Sequence, residues 1–321
     1  MTTQLGAHSP PRYLPISPMD DTRIRADLVD PSSLSALGRI EVVARWVVDG
    51  FMTGLHRSPR KGFSVEFAEH RSYQPGDDLR YLDWRVVARA DKWLIKQFEE
   101  ETNLRATVVL DVSRSMAWTG DPARLTKLAY AERVAAAVSW LLLRQRDAVG
   151  LIRFDDQVRT VIPPKARSVH WRRIVGALSD PGSGQGSDAP GALMQAARMV
   201  TRPGMVVVIS DLLVDENEME RAVTMLRAVG HDVSVIHILD PAERDLAIAK
   251  TDAELVDTES ALAVNATISE VRDAYRETVD TVIDEWRQRF TSSGAAYQPV
   301  FTDQPFGVAL RRVFAARQHL P

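Results

Sequence analysis

Short apolar runs recur along the last two-thirds of this chain. Each is followed by a stretch in which apolar positions return every three or four residues. The run at 205–209 is continuous, 106–110 is broken only by Thr107, and 148–154, 233–239 and 297–301 each carry two other residues without strict alternation. That pattern predicts strands buried on both faces, as in a parallel sheet. Residues 158–162 follow a tight Asp155-Asp156 turn and predict an antiparallel edge strand. Helical spacing predicts helices over 169–178, 189–200, 216–229 and 306–314. Asp121-Pro122 reads as the start of another, with Asp as cap and Pro at the first position. Its buried stripe is expected at Leu128, Ala131, Ala135, Val138 and Leu142. A capping box at Thr267-Ile-Ser-Glu270 predicts a long helix with Ile268, Val271, Tyr275, Val279, Val282, Trp286 and Phe290 inward.

Six strands joined by helical crossovers predict an α/β fold with a doubly wound, mostly parallel sheet. In the order 3-2-1-4-5-6, the first and fourth strands flank the switch point. Ligands of such sheets bind there, beyond the carboxyl ends of the strands. Asp111 and Asp211 close those two strands, so they are expected to face one crevice. The first part of the chain reads differently. Residues 1–32 hold five prolines and few periodic apolar positions, which predicts a flexible tail. Residues 33–105 predict a helix after Ser33, with Leu37, Ile40, Val43, Ala44, Val47 and Val48 inward. A small mixed module with a strand at 93–98 follows. Residues 106–321 form the large α/β domain.

Composition adds exclusions. The chain has 321 residues, a formal net charge of −3 and no cysteine. Disulfides and thiolate metal sites are therefore excluded. The mild acidity argues against nucleic acid as the main partner. No apolar segment reaches the roughly 18 residues of a membrane span. No secretory signal is visible, so a cytoplasmic protein is expected.

Asp111-Val-Ser113-Arg-Ser115, directly after the first strand, places one carboxylate and two hydroxyls at alternate positions. Such an all-oxygen set suits a hard cation; Mg²⁺ accepts few protein ligands and keeps several waters. The bland alternative is that Asp111 and the serines merely cap the following turn. The same residues resemble the metal-ion-dependent adhesion site (MIDAS) of von Willebrand factor A domains. That resemblance implies two further positions, Ser187 in the Gly186-Ser187-Asp188 loop and Asp211 after the fourth strand. It implies Ser113, Ser115 and Ser187 as direct ligands, and Asp111 and Asp211 acting through water. Mg²⁺, or another divalent cation such as Ca²⁺ or Mn²⁺, would be the ion.

A second block is more specific. Gly62-Phe-Ser-Val-Glu66-Phe67, the run from Arg71 through Tyr73, Gly76, Asp77, Asp78 and Arg80 to Asp83-Trp84, Ala88-Arg89, and 96–100 resemble the bacterial domain of unknown function 58 family. Its members carry a von Willebrand A-like half. The resemblance covers about residues 38–316. It implies a partnership with a MoxR-type AAA+ ATPase or that ATPase's client. Arg71, Arg80, Arg85 and Arg89 stand beside Asp77, Asp78 and Asp83. They read either as an ion-pair network holding the module or as a docking surface for a partner. In the second reading the surface is Arg71, Tyr73, Asp77, Asp78, Arg80, Asp83, Trp84 and Arg89. Trp84 and Trp93 are expected in the core.

Catalytic motifs fail one by one. Glu66-x-x-Glu69-His70 lacks the first histidine of an inverted zinc-protease motif. The glycines at 182–186 lack the Gly-Lys-Ser/Thr of a phosphate loop. The seven histidines have no ligand spacing and read as surface or capping residues. A phosphatase with Asp111 as nucleophile would place a general acid at position 113, where this chain has serine. The expected function is a non-enzymatic, metal-dependent interaction module. The alternatives are a scaffold with a vestigial metal site and a Mg²⁺-dependent phosphatase.

Overall fold

The computed structural model describes residues 30–32, 38–56, 70–72, 93–96, 104–180, 189–246, 252–256 and 263–317. In chain order the elements are α1 (Ile40–His56), β1 (His70–Ser72), β2 (Leu94–Lys96), β3 (Arg105–Asp111), a 3-10 turn (Arg114–Ala117), α2 (Lys127–Arg144), β4 (Ala148–Phe154), β5 (Val158–Lys165), α3 (Ser168–Leu178), α4 (Ala189–Met199), β6 (Met205–Ser210), α5 (Glu216–Ala228), β7 (Asp232–Leu239), α6 (Pro241–Asp245), β8 (Asp252–Val256), β9 (Ala263–Thr267), α7 (Ile268–Ser292), β10 (Ala296–Phe301) and α8 (Phe306–Arg317).

β3, β4, β5, β6, β7 and β10 form one sheet, in the spatial order β10-β7-β6-β3-β4-β5. Counted along the chain this is the expected 3-2-1-4-5-6, the doubly wound von Willebrand A-like arrangement. All pairings are parallel except β4 with β5. The continuous apolar runs have a simple cause: helices cover both faces. Val108 and Leu110 of β3 and Val207 and Ile209 of β6 pack into one core with α1, α2 and α8. Val109, Val206 and Val208, one residue out of phase, pack into the other with α4, α5 and α7. Each of β3, β4, β6 and β7 is thus buried on both faces and keeps no polar face, whereas the edge strand β5 alternates.

The edge strand β5 runs through Pro163 and Pro164, longer than its apolar pattern. Proline is tolerated there because an edge strand has one unpaired side. β4 meets it closely. A Cβ at Gly150 would stand 2.7 Å from the Ile162 carbonyl oxygen and 2.9 Å from the Pro164 ring.

Several expectations need correction. The helix expected from Asp121 begins at Lys127. Asp121 closes only a turn, accepting from the Ala123 N–H at 2.9 Å. The cap is Thr126, whose hydroxyl accepts from the Ala129 N–H at 3.1 Å. The Trp118 carbonyl takes the Lys127 N–H at 3.1 Å, so 118–126 is a closed loop before the helix. Its stripe is buried from Ala131 onward, with Leu128 partly buried. α1 starts at Ile40 rather than near Ser33; Leu37 lies outside the described residues. In α7, Ile283 is buried and Val282 is exposed. The true repeat is 279, 283, 286, 290, which keeps one side of a 3.6-residue turn inward. Trp93, expected in the core, is 49% exposed. His170, His231 and His237 are buried instead of superficial. The β8–β9 hairpin had no counterpart in the sequence pattern.

Candidate metal centre at the carboxyl end of the sheet

β3 and β6 are parallel neighbours, with Leu110 opposite Ile209. Their ends therefore bring Asp111 and Ser210-Asp211 together, as the topology requires. Ser210 Oγ donates to Asp111 Oδ2 at 2.6 Å, and Asp111 Oδ1 accepts from the Ser113 N–H at 2.9 Å. Ser210 Oγ also accepts from the Leu212 N–H at 3.0 Å. Leu212 has a φ of +56°, the left-handed region that a branched side chain avoids. Strained backbone of this kind persists where surrounding bonds hold it in place. Ser115 sits on the 3-10 turn, and its Oγ lies 3.1 Å from that of Ser113.

Carboxylates close four neighbouring strands: Asp111 on β3, Asp155 after β4, Asp211 after β6 and Asp240 after β7. All are buried. Three have a basic partner. Asp155 pairs with Arg159 at 2.7 Å, Asp240 with Arg124 at 3.2 Å, and Asp211 with Lys127 at 2.8 Å. Asp111 has none among the described residues. Burial, followed by the nearby Asp211 charge, raises its carboxyl to about 6, although Ser210 and Ser113 oppose this. Of the four strand-ending acids it is the one without a cation among the described residues.

The oxygens fit a small divalent ion. Octahedral Mg²⁺ holds oxygens at about 2.0–2.1 Å, which sets adjacent ligands about 2.9 Å apart. The Ser113 and Ser115 hydroxyls stand close to that separation. The Asp111 carboxylate supplies the charge. Asp211 Oδ2 faces the Lys127 ammonium instead, and its Oδ1 accepts from the Leu213 N–H at 3.3 Å. No group of three or more His, Asp or Glu side chains gathers as a metal cluster among the described residues. Ser187 lies outside the described residues. So do Tyr73, Asp77, Asp78, Arg80, Asp83, Trp84 and Arg89; Arg71 is described only as backbone in β1.

Sequence reasoning missed four site residues. Lys127 is seven residues before Val134 and eleven before Val138, on the buried stripe of α2, a basic residue where an apolar one is expected. Glu243 belongs to a capping box with Asp240 and Pro241 that is visible in the sequence. Ser210 precedes Asp211 at the end of an apolar run. Arg153 of β4 donates to the carbonyls of Ala177 and Asp180, both at 2.7 Å. It fixes the point from which the chain leaves toward Ser187.

The family model described as "Protein of unknown function DUF58" matches residues 69–284. The chain belongs to this family. An uncharacterized protein of Mycobacterium tuberculosis is 28% identical over 301 residues, spanning 92% of this chain and 93% of its own length. Among solved structures, an aerotolerance-related membrane protein from Bacteroides fragilis is 19% identical with a TM-score of 0.46. It covers 68% of this chain and 100% of its own. The VWA domain of SpRpn10 is 14% identical with a TM-score of 0.37, covering 65% of this chain and 94% of its own. No helix among the described residues is long and apolar enough to cross a membrane.

Proposed function

We propose that this chain is a non-catalytic cytoplasmic interaction module that captures an acidic side chain of a protein partner through a divalent ion. One observation carries the reading. Among the described residues Asp111 is buried without a cation, beside two hydroxyls at ligand spacing, while its three neighbouring carboxylates are each paired. A buried charge without compensation is costly, and a bound cation relieves that cost. Ser113, Ser115 and Ser187 would hold Mg²⁺, or Ca²⁺ or Mn²⁺, with Asp111 through water. When bound, the ion would supply a Lewis-acidic position open to a carboxylate.

Binding is favoured over catalysis by what surrounds the hydroxyls. Ser113 and Ser115 bond to each other, and no basic side chain activates either among the described residues. Ser113 stands where a phosphatase of the aspartyl type would need a proton donor. The partner we propose is a MoxR-type AAA+ ATPase or its client, which the family resemblance implies.

The test uses the purified chain and a purified MoxR-type ATPase. Calorimetry should detect Mg²⁺, Ca²⁺ or Mn²⁺ binding that Asp111→Asn abolishes. Capture of the ATPase should require the ion. Equal capture in excess chelator, or by Asp111→Asn, overturns the metal bridge. Ion-dependent turnover of a phosphate ester, lost in Asp111→Asn, overturns the non-catalytic reading.

A further inference from the structure

Lys127 is a buried ammonium inside the candidate site. Its side chain is 1% exposed. Nζ lies 2.8 Å from Asp211 Oδ2 and also donates to Glu243 Oε1. The Trp118 ring centroid is 5.9 Å away. Asp211 comes from β6, Glu243 from α6 and Trp118 from the loop before α2. Tyr275 of α7 and His237 of β7 are near enough to feel the same charge.

A lysine in this position is expensive to bury. Removing an ammonium from water costs several kcal/mol unless paired carboxylates compensate. Here both carboxylates are also held by backbone bonds of their own. Glu243 Oε2 accepts from the Asp240 N–H at 2.9 Å in the cap of α6. Asp211 is held by β6 and by the Leu213 N–H. Burial by itself would lower the ammonium's pKa. Two carboxylates within ion-pair distance of Nζ offset that cost and keep the group an ammonium.

We infer that Lys127 is a resident counter-cation that Asp211 shares with Glu243, so that Asp211 is already engaged and Asp111 is the strand-ending acid left without a cation among the described residues. This rests on the metal reading of the site and sharpens it. An ion held against Asp111 alone keeps net positive charge and finds Asp211 already engaged by a fixed ammonium. It binds weakly by itself and more tightly together with a carboxylate from outside. Lys127 thereby couples the ion to the acidic ligand and prevents the site from filling with metal when no partner is present. The coupling is reciprocal, as linkage requires: the ion strengthens the acid, and the acid strengthens the ion.

The experiment titrates Mg²⁺ into the full chain by calorimetry, with and without acetate as the acid. Wild type should bind Mg²⁺ weakly alone and severalfold more tightly with acetate. Lys127→Met frees Asp211 and should bind Mg²⁺ alone about tenfold more tightly, with a smaller acetate effect. Lys127→Arg should restore weak binding. If Lys127→Met does not fold without metal, Mg²⁺ should rescue its thermal unfolding midpoint. The double variant Lys127→Met/Asp211→Asn should then fold in chelator, with affinity falling back toward the wild type. Unchanged or weaker Mg²⁺ binding by Lys127→Met, alongside measurable binding by wild type, overturns the inference alone. No binding by any variant overturns the metal reading and the inference with it.

Discussion

The Ser210 hydroxyl donates to the Asp111 carboxylate at 2.6 Å across 99 residues of sequence. The same oxygen accepts from the Leu212 N–H. One hydroxyl therefore joins the candidate ligand on β3 to the left-handed turn that carries the chain past Asp211. Removing it breaks a bond to a charged group and leaves a buried N–H without its partner. Ser210→Ala should cost about 2 kcal/mol, measured by denaturant unfolding in chelator. Asp111 should also shift further upward, because the bond to Ser210 lowers its pKa at present. A loss under about half a kcal/mol would show that the bond is not formed in solution.

The two serines separate a metal site from a capped turn. Ser113→Ala and Ser115→Ala each remove one hydroxyl of the 3.1 Å pair and keep the Ser113 N–H bond to Asp111. Divalent binding should weaken by about tenfold or more in each variant, while stability in chelator changes little. If the serines serve only as turn residues, calorimetry will show the opposite pattern.

His237 yields a pH dependence with a definite sign. Burial lowers its pKa to about 4 from the ordinary 6.5. Nδ1 lies 2.6 Å from the Tyr297 hydroxyl. Burial raises the pKa of that hydroxyl, so it stays protonated and donates to the ring. The unfolded chain protonates this histidine near 6.5 and the fold resists until about 4. Its contribution is present in full above 6.5 and disappears as pH falls toward 4, amounting to roughly 3 kcal/mol. Asp111, raised to about 6, acts in the opposite sense over the lower part of that range. Comparing wild type with His237→Asn cancels Asp111. The variant should lose the acid sensitivity; parallel pH profiles would refute this.

Gly150 tests the edge of the sheet. A methyl there meets the Ile162 carbonyl and the Pro164 ring, neither of which is a flexible side-chain end. Gly150→Ala should destabilise by about 1–3 kcal/mol through displacement of β5, seen in thermal unfolding. Divalent binding at the far end of the sheet should persist.

Much of the fold was legible because the four inner strands β3, β4, β6 and β7 are buried on both faces. Continuous apolar runs such as 205–209, short and bounded by turn residues, suit a strand in the middle of a covered sheet. Crossover chirality then limits the order of strands. Asp111 and Asp211 could be placed at one crevice from that order alone. Helix starts were less legible. Asp121-Pro122 carries the local chemistry of a cap, yet the Lys127 N–H bond to Trp118 closes a loop first, and Thr126 takes the role. Val282 and Ile283 are equally apolar neighbours, and only the core behind α7 selects Ile283.

By itself, the sequence determined the α/β class, the strand order, the family and the acid-and-hydroxyl motif after the first strand. Those follow from local patterns of hydrophobicity and from residue types at fixed spacing. Tertiary structure alone decided which carboxylate has a partner. Asp111, Asp155, Asp211 and Asp240 look alike as strand-ending acids. Asp155 meets Arg159 four positions on, Asp211 and Asp240 meet basic groups from distant parts of the chain, and among the described residues Asp111 meets only hydroxyls and an amide. Charge compensation depends on distance in space, and Lys127 reaches Asp211 from 84 positions away only because α2 begins at the edge of the sheet where β6 ends.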